Sequence, residues 1–378
     1  MHASSIERCS SLLAARFAGI TTLDPMGAFA LFAALVLLMP IRAAIPLGSL
    51  FDLNMQRLFV LLLVAICAWG RSPQEAGDGR DRSWLDIPFV KLMLLNFAVM
   101  SLSTAFSVNW VVSLKNVLMH ATEYYLIYVI FCGAIATRED AESVFRAIYW
   151  ATVIVALSAV VESYTSWNPV NYLPNEGGRF FQEGGYGDID RGFRPTSVFP
   201  TAHLLGAAMV LGMTFTCGIL SRDEMPGGKA VLAWAVLLVM GLCLYKTSTR
   251  GPWLALVVSY AFLLLAASPR IRKTVAAFGV LTGLFLMVRS GVYMSVRHMV
   301  MASLDTNTSI GSSYEYRYAL VDVAKDALGR DLLRAVFGYG PETFFYLNLK
   351  REFLGMEYTF LSCDSSWVQS AIETGLLG

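Results

Sequence analysis

Apolar positions in this chain are gathered into continuous blocks of about 17–22 residues, separated by short polar or basic turns. A block of that length spans a bilayer as a helix. Stretches such as VLAWAVLLVMGLCLY and LALVVSYAFLLLAA leave no polar face for water. The pattern predicts membrane helices near 26–45, 53–70, 87–105, 117–136, 144–164, 198–220, 229–245, 250–268 and 271–289. Another apolar block starts near 365 and stops at Gly378, about 14 residues that are too few to cross about 30 Å. We expect it to begin a further span that is incomplete as the chain stands. The expected fold is all-α, a polytopic membrane protein of about ten or more transmembrane helices.

Two polar segments interrupt the blocks. The organisation read from them is nine helices over 1–289 with a loop near 165–197, a large polar segment over 290–364, and the start of a further span over 365–378. The loop contains NEGGRFFQEGGYGDIDRGFRPT, rich in glycine, aromatics and both charge signs, a composition able to bend closely around a ligand. The larger segment is too long for a passive connector. Within it Tyr314, Arg317, Leu320, Val321, Ala324 and Leu328 recur at helical spacing, which predicts an amphipathic helix on or beside the membrane face.

Charge sets the orientation. Arg8, Arg16, Arg71, Arg80, Arg82, Arg138, Arg222, Lys229 and the turn SPRIRK (268–273) fall on one side, whereas the opposing turn FSVNWVVSLKN (106–116) carries one lysine. The excess of basic residues marks the cytoplasmic side, so both long polar segments are expected to face outward. The chain of 378 residues is 56% hydrophobic and only 15% charged, well below the roughly one quarter usual for soluble domains. A net charge of +1 and the lack of a basic run with interleaved aromatics argue against nucleic acid as a partner. Cys67, Cys132, Cys217 and Cys243 lie inside apolar blocks and read as small buried hydrophobes; no C-x-x-C pair suggests zinc. No compact leader with a small-residue cleavage site is visible near the N-terminus.

Against this background YKTSTRGPWLAL (245–256) stands out, because it sets Arg250 behind Thr247, Ser248 and Thr249 at a seam between two apolar blocks. Pro252 suits the first turn of the helix that follows. Arg194 stands at the mouth of the sixth predicted helix, and Arg317 on the amphipathic one. Guanidinium groups beside hydroxyls at a membrane boundary grip oxyanions through forked hydrogen bonds. A lipid phosphate or pyrophosphate is the anion expected there. The alternative is that each arginine snorkels to ordinary headgroups. Glu342, after a glycine turn, would orient an acceptor hydroxyl or open a helix after Pro341. Gly338 and Gly340 are expected to shape the backbone. His120 and Glu123, at i and i+3 inside an apolar block, suggest mutual pairing or a polar cavity. His203 reads as a helix-entry residue or a substrate contact, and Trp110, Trp167 and Trp253 as a boundary belt.

Four motifs in order, RPTSVFP (194–200), TSTRG (247–251), FGYGPETF (337–344) and DSSWVQSAIETGLLG (364–378), resemble the O-antigen ligase and polymerase family. The resemblance covers about residues 190–378; the earlier helices agree in number and polarity. It implies a multi-helix inner-membrane glycosyltransferase with a large periplasmic loop. Such an enzyme takes a glycan from undecaprenyl pyrophosphate and joins it to a hydroxyl of an acceptor glycan or glycolipid. No nucleotide, metal or other cofactor is implied. By this resemblance Arg194, Arg250 and Arg317, with Ser248, would hold the pyrophosphate, while Asp364 and Glu342 are the catalytic candidates. Family ligases typically carry a histidine where this chain has Asp364, and polymerase-like relatives often have aspartate there. The departure favours polymerisation of exopolysaccharide or O-antigen over ligation to a lipid A core, with a chain-length regulator as an open partner. A carboxylate of ordinary pKa is a weak base unless burial raises it, and Asp364 also reads as an N-cap for the helix after it. The rival from another class is a transporter or flippase of lipid-linked glycan. It would place polar sites at the bilayer midplane in paired broken helices, whereas the polar residues here concentrate at one boundary.

Overall fold

The structure is a computed structural model that describes residues 25–40, 44–46, 52–54, 57–62, 64, 87–135, 137–172, 186–188, 192–222, 226–288, 293–294, 297, 301, 309–353, 356–361, 363 and 365–378. Among these, helix dominates, and strands are limited to three two-stranded antiparallel hairpins. The helices are α1 (Pro25–Leu38), α2 (Val90–Ala105), α3 (Trp110–His120), α4 (Ile127–Ala134), α5 (Arg138–Thr165), α6 (Ala202–Leu220), α7 (Gly227–Lys246), α8 (Arg250–Ala266), α9 (Pro269–Val288), α10 (Ser309–Leu328), α11 (Leu332–Phe337) and α12 (Ser366–Thr374). The hairpins are β1 (Ala44–Pro46) with β2 (Asp52–Asn54), β3 (Tyr186–Asp188) with β4 (Gly192–Arg194), and β5 (Leu349–Phe353) with β6 (Met356–Phe360).

Among the described residues three helices, α5, α6 and α7, are long and apolar enough to cross a membrane; α2 and α8 are shorter apolar helices. The expectation of ten or more spans goes beyond what these residues display, and most of the predicted second span (53–70) lies outside the described residues. Where helices are present, their edges follow local chemistry. Thr137 caps α5 through a reciprocal capping box with Asp140, seven residues before the predicted start of the span at 144. Asn109 caps α3 by accepting from Val112 N at 3.4 Å, so the turn expected over 106–116 is mostly helix from Trp110 onward. A π-helical turn, Ala121–Leu126, joins α3 to α4.

The central packing unit is α5–α6–α7 with α8 and α9 against α6. Its core contains Ala156, Ala159, Leu205, Met209, Leu237, Met240 and Cys243, all buried. Trp253, expected in a boundary belt, packs against this core, while Trp110 and Trp167 are exposed. Small residues let these helices approach closely, the usual solution where lipid removes the hydrophobic incentive between helices. A Cβ on Gly206 would lie 2.7 Å from Pro252 Cγ of α8, and one on Gly212 would lie 2.8 Å from Met240 Sδ of α7. The opposite face of α8 is open, with Leu254, Val257, Phe262 and Leu265 exposed, as a lipid-facing surface requires.

A second lobe forms from residues after α9. The predicted amphipathic helix is present as α10, but its buried stripe runs through Leu320, Val323, Ala324 and Ala327, leaving Val321 exposed. That stripe packs on Phe344, Leu349, Phe360 and Ile372, so protein occupies the apolar face of this helix. The β5–β6 hairpin, which helical periodicity did not suggest, supplies part of that cover. Arg351 ties it to α10 through Asp326 at 2.7 Å and Asp322 at 3.5 Å. Alternation of side chains across a strand turns Leu349 inward and Lys350 outward.

The α6–α8 crossing generates a prediction. Gly206→Ala should push Pro252 away and destabilise the bundle by about 1–3 kcal/mol. A lowered melting temperature of the detergent-solubilised protein is the expected reading, and an unchanged one would argue against so close a crossing.

Candidate functional site

The site begins at the junction of α7 and α8. Lys246 ends one helix and Arg250 starts the next, with only Thr247, Ser248 and Thr249 between them. Thr247 and Thr249 are buried. The Thr247 hydroxyl bonds Leu244 O at 2.7 Å and shares a 2.8 Å bond with the Thr249 hydroxyl. Their hydroxyls therefore close the helix end and do not converge on a ligand as the run of three had suggested. Ser248 differs. Its backbone is left-handed, with φ 49, and its side chain is half-buried. Residues outside glycine, asparagine and aspartate adopt that conformation rarely, and strain of this kind collects at functional sites.

Arg194, buried at the end of β4, reaches this junction. Its Nε donates to Thr247 O at 3.0 Å, joining positions 53 residues apart. Arg194 thereby satisfies a carbonyl at the C-terminal end of α7, where cations are favoured by the helix dipole. The bond sets Arg194 beside the backbone that leads into Arg250.

The loop carrying Arg194 is held by a residue that sequence reasoning did not single out. Glu162, 2% exposed near the end of α5, accepts from Ser197 N at 2.6 Å, Thr196 N at 3.4 Å and Asn168 Nδ2 at 3.1 Å. Asn168 Nδ2 also bonds Ser197 O at 2.9 Å, and the Ser158 and Ser197 hydroxyls meet at 2.6 Å. These contacts fold Arg194-Pro195-Thr196-Ser197 back onto the helix and hold Ser197 in a left-handed conformation, φ 52. A buried carboxylate is tolerable only with such donors. The signal was available: an acidic residue near the end of an apolar span is a functional suspect by default.

His203, exposed in the first turn of α6, gathers the remaining cations. Its ring lies over Gly251, where a Cβ would sit 2.5 Å from Cε1. Arg317 and Arg194 both act electrostatically on it. Lys246 adds a further cation above the Tyr164 ring, at 4.5 Å from its centroid. Arg194, Ser248, Arg250 and Arg317 thus come to one end of α5–α8, with Lys246 and His203 among them. Guanidinium groups, an ammonium and a hydroxyl are the chemistry that suits a multiply charged oxyanion.

The other candidates fall elsewhere. Glu342 is exposed on a left-handed backbone, φ 59, and accepts from Asn116 Nδ2 of α3 at 3.4 Å. It sits in a tight turn braced by buried Thr343, whose hydroxyl bonds Gly340 O at 2.6 Å. Gly338 and Gly340 serve the backbone: at φ 71 and φ 102, a Cβ on Gly338 would lie 2.4 Å from Glu373 O, and one on Gly340 would lie 2.3 Å from Ser107 Oγ. Tyr339 N and Gly340 N donate to Ile372 O and Glu373 O, so the glycine turn and the C-terminal motif form one unit. Ser113 Oγ, donating to Pro341 O at 2.8 Å, fastens that unit to α3. Asp364 lies outside the described residues. The cap of α12 is Ser365, which accepts from Val368 N, so the capping role weighed for Asp364 falls to its neighbour. Glu123 pairs with Arg57 at 2.5 Å and not with His120, whose Nδ1 bonds Asn116 O at 3.1 Å. Arg57 comes from the second apolar block, a partner that i, i+3 spacing could not reveal.

Residues 235–378 match the family model described as O-antigen ligase, the family that the four motifs resemble. The matched stretch includes Ser248, Arg250, Arg317, Glu342 and Asp364 and begins after Arg194. It supports, in general terms, a membrane-bound function of the O-antigen ligase or polymerase type. No match was found among curated proteins or solved structures.

Removing the Glu162 carboxylate isolates its effect on the loop. Glu162→Ala removes the acceptor of the short Ser197 N bond and one acceptor each of Thr196 N and Asn168 Nδ2, at about 1–3 kcal/mol for a group left unsatisfied. The expected result is a clear fall in melting temperature, with Glu162→Gln, which keeps one acceptor oxygen, falling between the two. Equal melting temperatures for all three proteins would show that Glu162 does not brace the loop.

Proposed function

We propose that this protein is a membrane glycosyltransferase of the O-antigen ligase/polymerase type that acts on a glycan carried by undecaprenyl pyrophosphate, at the periplasmic face of the inner membrane. The observation that carries this reading is that Arg194 bonds the turn that leads into Arg250, while Arg194 and Arg317 both act electrostatically on His203, whose ring covers Gly251. A lipid-linked pyrophosphate would present its charge at such a boundary while its chain stays in the bilayer.

In the proposed step, a hydroxyl of the acceptor attacks the anomeric carbon of the donor sugar. The bond from that carbon to the pyrophosphate oxygen breaks, and its electron pair leaves with the carrier pyrophosphate. The hydroxyl proton passes to a carboxylate, for which Asp364 is the first candidate and Glu342 the second. Charge grows on the leaving oxygen, and fixed guanidinium groups would stabilise it at the moment of cleavage. Arg194 is held at the junction in advance of the reaction by its Nε bond to Thr247 O. No metal ion is required in this scheme, because the arginines supply the positive charge.

Among the reactions of this type, we favour polymerisation of exopolysaccharide or O-antigen, because Asp364 stands where ligases of the family typically carry histidine. Transfer to a lipid A core is the alternative outcome. Both acceptors can be offered to purified protein with the same lipid-linked donor, and elongation of lipid-linked glycan is the expected product.

The arginine at the junction decides the reading. Arg250→Ala should lower transfer at least about a hundredfold, with protein in the membrane unchanged. Arg250→Lys should recover part of that loss, because an ammonium keeps the charge but not the forked donors. Product of normal length and amount from Arg250→Ala would overturn the proposal.

A further inference from the structure

A second polar surface lies on α3, and its chemistry differs from that of the arginine site. Asn116, His120 and Tyr124 follow at intervals of four, so they share one face of α3 and of the π turn that continues it. Asn116 and His120 are half-buried, and Tyr124 is exposed. The His120 and Tyr124 rings are inclined at 37° with centroids 5.0 Å apart. Glu342, from the FGYGPETF turn of the second lobe, meets this face through its 3.4 Å bond from Asn116 Nδ2. The same carboxylate acts electrostatically on Tyr124, two helical turns further along.

This face holds hydrogen-bonding capacity that the protein itself does not use. His120 Nδ1 donates to Asn116 O at 3.1 Å, which makes Nε2 the acceptor of the neutral ring. Among the described residues, His120 Nε2, the Tyr124 hydroxyl, Asn116 Oδ1 and Glu342 Oε1 have no hydrogen-bond partner, and no cation pairs with Glu342. The backbone departs from its ordinary forms at the same place. Glu342 is exposed at φ 59 between buried Pro341 and Thr343, and α3 turns π-helical directly after His120. Both forms are uncommon and gather at functional sites. Holding the second lobe does not require the Glu342 side chain. Ser113 Oγ already fastens that turn through Pro341 O at 2.8 Å, and Val108 N does so through Tyr339 O at 3.1 Å.

The atoms of this face select among ligands. A phosphate would meet a carboxylate with no cation beside it. An acyl chain would leave the polar atoms unsatisfied. A sugar ring gains throughout: its hydroxyls donate to the carboxylate and the imidazole nitrogen and accept from the tyrosine, while its C–H edge can lie on an aromatic face. We infer that Asn116, His120, Tyr124 and Glu342 form the subsite for the acceptor sugar, with Glu342 accepting from a sugar hydroxyl. This inference rests on the glycosyl-transfer reading and deepens it, because it gives the two substrates surfaces of opposite chemistry. Guanidinium groups receive the donor's pyrophosphate; a carboxylate, an amide and two rings receive the acceptor. The orientation expected from the basic turns puts the start of α3 and the α7–α8 junction on the same side.

Calorimetric titration of the detergent-solubilised full chain tests it, with the repeat-unit oligosaccharide released from its lipid carrier as the probe. The unmodified protein should bind this oligosaccharide. Asn116→Ala and Tyr124→Ala should each weaken binding by about tenfold, the scale of one lost polar contact. Tyr124→Phe keeps the ring and should retain more of the binding than Tyr124→Ala, which guards against misfolding. In a transfer assay with lipid-linked donor and labelled oligosaccharide as acceptor, the same variants should raise KM for the acceptor by a similar factor and leave KM for the donor unchanged. Three outcomes overturn the inference: no oligosaccharide bound by the unmodified protein, undiminished binding by both alanine variants, or equal rises in the two KM values. Oligosaccharide binding that Tyr124→Ala weakens, in a protein that forms no glycosidic bond, would keep the sugar site and strike the transfer reading instead.

Discussion

A carboxylate buried in an apolar helix must find hydrogen-bond donors, and Glu162 finds them in the backbone of the loop that carries Arg194. The rest of the candidate site depends on that requirement. The carboxylate turns Thr196 and Ser197 back against α5, and this sets Arg194 where its Nε can bond the Thr247 carbonyl that caps α7. One helix end thereby positions a loop, the loop positions a cation, and the cation closes a second helix end. Arg250 opens the next helix four residues beyond Lys246. Two left-handed serines, Ser197 and Ser248, show that the surrounding contacts outweigh local backbone preference at both turns.

Close packing makes this arrangement rigid. Gly206 lets Pro252 lie against α6, and Gly251 lets the His203 ring lie over the start of α8. Larger residues at either position would separate the two helices at the place where the cations meet. A similar pairing of glycine turns organises the second lobe, where Gly338 and Gly375 face each other and neither has room for a side chain. That unit fastens the FGYGPETF and C-terminal motifs to α2 and α3 through Ser103 and Ser113. The lobe in turn carries Arg317 on α10. Two lobes with separate cores are thus linked electrostatically, through Arg317 acting on His203.

Much of this was legible beforehand, for identifiable reasons. The apolar blocks marked α5, α6, α7, α8 and α9 to within several residues, because a membrane span must be continuously apolar and leaves a strong signal. Arg194, Ser248 and Arg250 drew attention as polar residues at helix mouths. Glu162 carried the same signal and was passed over, being read as one residue of a long helix. The β5–β6 hairpin was missed because its strands are five residues each and sit inside a segment whose strongest period is helical. The amphipathic helix was found, but its buried stripe was shifted: spacing chose Val321, and the cover supplied by Phe344, Phe360 and Ile372 selected Val323.

What the linear order of residues determined here is the solvent each block prefers and the family its later half resembles, since both are properties of composition and spacing along the chain. Partners across space were decided by the tertiary structure alone. Spacing offered Glu123 a pairing with His120 or a polar cavity, whereas folding brought Arg57 to it. Spacing aimed three hydroxyls at one ligand, whereas packing turned Thr247 and Thr249 on each other and left Ser248 half open. The reason is physical: a hydrogen bond or ion pair depends on distance and direction in three dimensions, and helices that pack side by side can be far apart along the chain.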